Sequence, residues 1–147
     1  MKKILLILIG IILIGCGYNP IFQTKNISYK INNIISKENK ISKNFQKLIS
    51  NYSNDESDNI FDISIEAEKK QRVIAKDTKG NAEAFELSIF AKFTIENKEI
   101  KKIYSFKEST VYKNIDNKFE LKQKEEELID QLIQKITQNL FINLSEI

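Results

Sequence analysis

Phe85-Glu86-Leu87-Ser88-Ile89-Phe90-Ala91-Lys92-Phe93-Thr94-Ile95 decides how this chain folds. Phe85, Leu87, Ile89, Ala91, Phe93 and Ile95 take every second position, with Glu86, Ser88, Lys92 and Thr94 between them. Side chains of a strand alternate between the two faces of a sheet, so this period of two makes one apolar row and one polar row. A helix would scatter the same residues around its circumference. The stretch is therefore a β-strand with one dry face and one wet face.

Its flanks are turns. Lys76-Asp77-Thr78-Lys79-Gly80-Asn81 precedes it, a polar segment with the only glycine after residue 17. Before that turn, Phe61, Ile63, Ile65 and Ala67 alternate with Asp62, Ser64 and Glu66, and the pattern runs on towards Val73 and Ile74. After the central strand, Glu96-Asn97-Lys98-Glu99 is a tight polar turn that leads into a strand from Ile103 to Tyr112. This last strand alternates imperfectly. Tyr104 and Phe106 share a face with Glu108, while Ile103 and Val111 lie opposite, which reads as a strand covered on both sides or bulged. Successive strands joined by short turns form an antiparallel meander.

Helices flank the meander. Ile41, Phe45, Leu48, Ile49 and Tyr52 make one amphipathic stripe, with Ser36 or Asn39 as its cap. Phe119, Leu128, Leu132, Ile133, Ile136, Leu140 and Leu144 recur at three- and four-residue steps, and no glycine or proline interrupts Lys118 to Leu144. Ahead of the first helix, Ile27, Tyr29 and Ile31 alternate with Ser28 and Lys30 as a short strand. The expected class is α+β, a small mainly antiparallel β-sheet with two α-helices packed on one face.

Composition narrows the chemistry. The chain has 147 residues and a formal charge of +3, with Arg72 as its one arginine, so no strongly basic field points to nucleic acid. It has no histidine, the usual base near neutral pH and the commonest metal ligand. The single cysteine, Cys16, excludes an internal disulfide. The acidic residues Asp55, Glu56 and Asp58 fall in a polar loop rather than in an aromatic cleft where two carboxylates would do glycosidic chemistry. The expected protein is not an enzyme, and neither a metal nor a bound cofactor is expected.

The N-terminus carries an address. Lys2 and Lys3 precede an apolar run from Ile4 to Ile14, then Gly15 and Cys16. This is the layout of a secretory signal peptide, and it falls short of the roughly 20 apolar residues a spanning helix needs. Leu13-Ile14-Gly15-Cys16 resembles the lipobox of bacterial lipoproteins. That resemblance implies a lipid on the sulfur of Cys16, cleavage before it, and acylation (palmitate) of the new N-terminus. It divides the chain into a signal peptide (1–15), a lipidated cysteine and tether (16–25), and one domain (26–147). Gly17 stands where the family's inner-membrane retention signal has aspartate, which implies the outer membrane, with the domain facing the periplasm.

Cys16-Gly17-Tyr18-Asn19-Pro20-Ile21-Phe22 also resembles the opening of LptE (RlpB), a family of lipopolysaccharide-assembly lipoproteins of the Gram-negative outer membrane. The order of elements is similar too, with Phe85 to Ile95, Tyr104-Ser105-Phe106 and Tyr112 matching the family's paired strands before its last helix. The resemblance implies a plug-and-barrel complex with the β-barrel LptD, in support of lipopolysaccharide assembly at the cell surface. Lipopolysaccharide itself is a further candidate partner. Lys69, Lys70, Arg72, Lys76 and Lys79 crowd one strand end and its turn, and a guanidinium at Arg72 suits a phosphate bidentately. The alternative is a periplasm-facing lipoprotein that binds another envelope protein or a small apolar ligand. The ligand would lie in a pocket lined by Phe85, Phe93, Ile133 and Phe141.

Overall fold

The apolar rows of three long strands have to be buried together, and the computed structural model shows how. It describes residues 29–53 and 57–145. The strands are β1 (Lys30–Ser36), β2 (Ile60–Lys76), β3 (Ala82–Glu96) and β4 (Lys101–Lys113), in the spatial order β1-β2-β3-β4. Helix α1 (Lys40–Ile49), extended by a 3-10 turn (Ser50–Tyr52), connects β1 to β2, and α2 (Lys118–Leu144) ends the chain. β2, β3 and β4 form the antiparallel meander, and β1 joins β2 in parallel through the α1 crossover. The class is α+β as expected.

Packing follows the period-two pattern. Ile63, Ile65, Leu87, Ile89, Phe93 and Ile95 are buried on one face of the sheet. α1 lies over β1 and β2, α2 over β3 and β4, and the helices touch each other. From α1 come Ile41, Phe45 and Ile49, and from α2 the stripe that includes Leu132, Ile136 and Leu140. Each fully buried aliphatic or phenyl side chain contributes about 1.5–3 kcal/mol relative to exposure. Phe45 meets Phe93 edge-on at 5.4 Å between centroids, which locks α1 to the middle strand.

Both helix starts are capped by asparagine. The Asn39 carboxamide oxygen accepts from Ser42 N–H at 2.8 Å, so Asn39 is the cap, and Ser36 belongs to β1 instead. Asn117 accepts from the N–H groups of Phe119 and Glu120 and donates to the Glu120 carboxylate. Gly80, at φ +84°, closes the β2–β3 turn in a conformation that glycine adopts without steric cost.

Three expectations need correction. The first strand, expected over Ile27 to Ile31, runs from Lys30 to Ser36, and its register shifts between Ile31 and Asn33. That irregularity breaks the alternation and sends Ile31 and Ile34 inward while Ile35 stays exposed. Phe119 is no part of the α2 stripe: it sits in the first turn at 76 % exposure. β4 is neither bulged nor covered on both sides. Its register with β3 is unbroken, and the inward Glu108 that spoils its alternation pairs with Lys135 of α2 at 2.7 Å.

Candidate functional site

The helices cover one face of the sheet and leave the other bare. Strand alternation fills the bare face with the polar members of each pair, and the register lays them in rows. Asp62, Glu96 and Lys101 form one row, Glu66, Lys92 and Ser105 another, and Arg72, Glu86 and Val111 a third. Opposite charges often face each other. Arg72 Nε donates to Glu86 Oε2 at 2.5 Å, and Lys101 reaches Glu96 at 2.9 Å. At the centre, Phe90 turns outward between two ammonium groups, Lys70 at 4.9 Å and Lys107 at 5.2 Å from its ring centre. Beside it lies an open groove of about 510 Å³ whose lining includes Lys37, Glu68, Phe90, Lys92 and Ser105. Ile35, Ile103 and Val111 also stand exposed on this face, at 60, 57 and 59 %.

The β2–β3 turn is built around Asp77. Its carboxylate accepts from the N–H groups of Lys79 and Asn81 at 2.8 Å and from the Asn81 side chain at 3.0 Å. Those bonds, with Asn81 foremost, hold the Asp77 pKa below its ordinary value. The turn therefore presents Lys76 and Lys79 on a defined scaffold.

The structure brings Arg72, Lys76 and Lys79 to the same end of one hairpin. It divides the rest of the expected cluster, because Lys69 and Lys70 are adjacent in β2 and point to opposite faces. Lys70 also pairs with Glu68 at 2.8 Å, and the Nε of Arg72 is engaged by Glu86. Lys76 and Lys79 show no ion pair among the described residues. Cys16, the residues expected to form the signal peptide and the tether, Ile27, Asp55 and Glu56 lie outside the described residues.

Sequence reading missed the outward Phe90 between its two lysines. The signal was present, since the hairpin register sets Phe90 opposite Lys107, but only strand pairing reveals it. The four side chains named for an apolar ligand pocket pack instead against their neighbours. Phe93 and Ile133 are buried in the core, Phe141 stacks on Tyr29 at 6.2 Å, and Phe85 stacks on Tyr112 at 5.5 Å. Among the described residues, no helix is long and apolar enough to cross a membrane, and no group of three or more acidic, histidine or cysteine side chains is placed to hold a metal ion.

Known structures share this architecture. Rare lipoprotein B from Shewanella oneidensis superposes with a TM-score of 0.53 at 12 % identity, over 78 % of this chain and 98 % of its own. A lipoprotein from Caulobacter crescentus described as putative gives 0.61 at 10 % identity, over 81 % and 88 %. Lipoprotein B from Nitrosomonas europaea gives 0.53 at 18 % identity, over 76 % and 84 %. At these identities the likeness is one of fold. No curated protein matches the sequence. The family model for LptE, described as lipopolysaccharide-assembly, matches residues 24–144, which takes in every strand and helix described above, and the chain belongs to the LptE family.

Proposed function

We propose that the protein is a non-enzymatic outer-membrane lipoprotein that forms a plug-and-barrel complex with the β-barrel LptD and supports the assembly of lipopolysaccharide at the cell surface. The match to the LptE family over residues 24–144 carries this reading. Lipid on Cys16 would hold the domain to the membrane. One acyl chain gives only marginal binding, and several give a lasting anchor.

The physical form suits a plug. The lumen of a membrane barrel is polar, so a plug needs a hydrogen-bonding, charged exterior over a filled interior. The bare face, with Glu66, Lys92, Thr94 and Ser105, meets the first need, and the packed core around Phe93 meets the second. Affinity purification of the lipidated protein from membranes tests the complex. Recovery of a large β-barrel is the expected result, and its absence after mild extraction contradicts it.

Direct contact with lipopolysaccharide is assigned to Arg72, Lys76 and Lys79, at the free end of the β2–β3 hairpin. Clustered cations there suit the phosphates of lipid A. Because Glu86 already engages Arg72, the two lysines carry more of the contact. Replacing all three by glutamine weakens lipopolysaccharide binding, and unchanged affinity rules out this contact.

A further inference from the structure

The two edges of the sheet differ. β1 is short, its register slips at Asn32, and it pairs with β2 only as far as Ile65. The first turn of α1 covers the next outward position, Ala67, and among the described residues no strand lies beside β2 from Lys69 to Ala75. Asn39 donates to the Ala67 carbonyl at 3.0 Å and the Ser42 hydroxyl accepts from Ala67 N–H at 3.1 Å. Among the described residues, β4 has no such cover. It is the outermost strand from Lys101 to Lys113, and its register with β3 is continuous along that length.

Alternation fixes which backbone groups face outward. Asn114 N–H donates to the Glu83 carbonyl, and Asn97 N–H to the Ile100 carbonyl, so the even-numbered residues of β4 bond to β3. The odd-numbered ones, including Ile103, Ser105, Lys107, Ser109 and Val111, aim their N–H and C=O groups away from the sheet. No hydrogen bond from another described residue reaches those groups. An open edge of this kind is a template for one more strand.

Charge selects the occupant. Lys101, Lys107 and Lys113 stand at six-residue intervals along the outward-bonding positions. Lys101 is paired with Glu96, and Glu108, the one acid in β4, is taken up by Lys135, so Lys107 and Lys113 carry the edge's positive charge. A second copy paired antiparallel about Lys107 would set Lys107 against itself and Lys101 against Lys113, and like charges directly opposite are unfavourable. The segment from Cys16 to Ser28 offers Lys25 and no acid. The lysines make this edge basic, and an acidic occupant complements it.

We propose that the β4 edge, from Ile103 to Val111, is a strand-addition site for an extended, acidic polypeptide segment of a partner. The site stands independently of the barrel and of lipopolysaccharide, so its failure would leave the plug reading intact.

A synthetic peptide of about nine residues alternating Glu with Val, the length of a typical strand, is the probe, with a Lys-Val peptide as its counterpart. Amide hydrogen exchange is followed on the mature chain. The acidic peptide protects the amides of Ile103, Ser105, Lys107, Ser109 and Val111, and the basic peptide does not. In the Lys101→Glu, Lys107→Glu, Lys113→Glu variant, affinity for the acidic peptide falls by about tenfold or more, the equivalent of one decade in Kd, and the preference inverts. Ser105→Pro, which removes one outward N–H from an edge strand that tolerates proline, weakens both peptides in the reversed and the original background.

Three results overturn the proposal. One is equal binding of the two peptides. Another is protection of those amides before any peptide is added, which would assign the edge to the chain's own N-terminal segment. The last is concentration-dependent dimerisation that protects them, which would assign it to a second copy.

Discussion

The two faces of β3 are made from adjacent residues and have opposite fates. Leu87, Ile89 and Phe93 are wholly buried beneath the helices, while Lys92 and Thr94 lie on a face that nothing in the described chain covers. In an ordinary two-layer domain the second face would simply meet water. Here it carries ion-paired rows, an outward phenyl ring between two lysines, and exposed aliphatic residues at Ile35, Ile103 and Val111. The covered face accounts for folding, and the bare face and its β4 edge are the surfaces free to account for function.

Substitution on the two faces sharpens that contrast most. Phe93→Ala opens a cavity at the meeting point of α1 and β4, since Phe93 contacts both Phe45 and Phe106. It lowers unfolding free energy by about 3–5 kcal/mol, measured by denaturant titration. Lys92→Ala, one residue away on the bare face, shifts it by no more than about 0.5 kcal/mol. Equal losses at the two positions would mean that the bare face is part of the folding core.

A smaller effect is expected where the covered face meets the first turn of α1. Asn39 caps α1 and also bonds the β2 backbone at Ala67. Asn39→Ala costs about 1–2 kcal/mol and exposes the Ala67 carbonyl, so amide exchange near Ser42 quickens.

The smallest effect is alkaline. Burial raises the phenol pKa of Tyr29, and burial followed by the hydrogen bond and charge of Glu125 raises that of Tyr112. Both are higher in the folded chain than in the unfolded one. Their contribution is therefore complete below the unfolded value of about 10 and declines as pH rises beyond it. Tyr112→Phe flattens that decline, read from midpoints of denaturation between neutral and alkaline pH. A steeper decline in the variant would contradict the assignment.

Much of this was legible in the sequence, for a physical reason. β3 is buried on one face only, so its hydrophobic period of two is unbroken, and α2 is long enough for its stripe to repeat many times. β1 was misplaced because a register slip at Asn32 removes the period on which the reading depends. The LptE family was legible in the order of elements, which lies within the matched residues 24–144. The outward Phe90 and the open β4 edge were not, because both depend on which strand lies beside which. Partner choice is set by charges spaced along an edge, and a linear sequence does not say where its edges are.

The most direct measurement is site-specific photocrosslinking in intact membranes from the bare face, with the reactive side chain placed at Thr94 and at Ser105 in turn. A protein acting as a barrel plug gives adducts with a large β-barrel from both positions. Correctly lipidated, membrane-bound protein that gives no such adduct from either position would contradict the account.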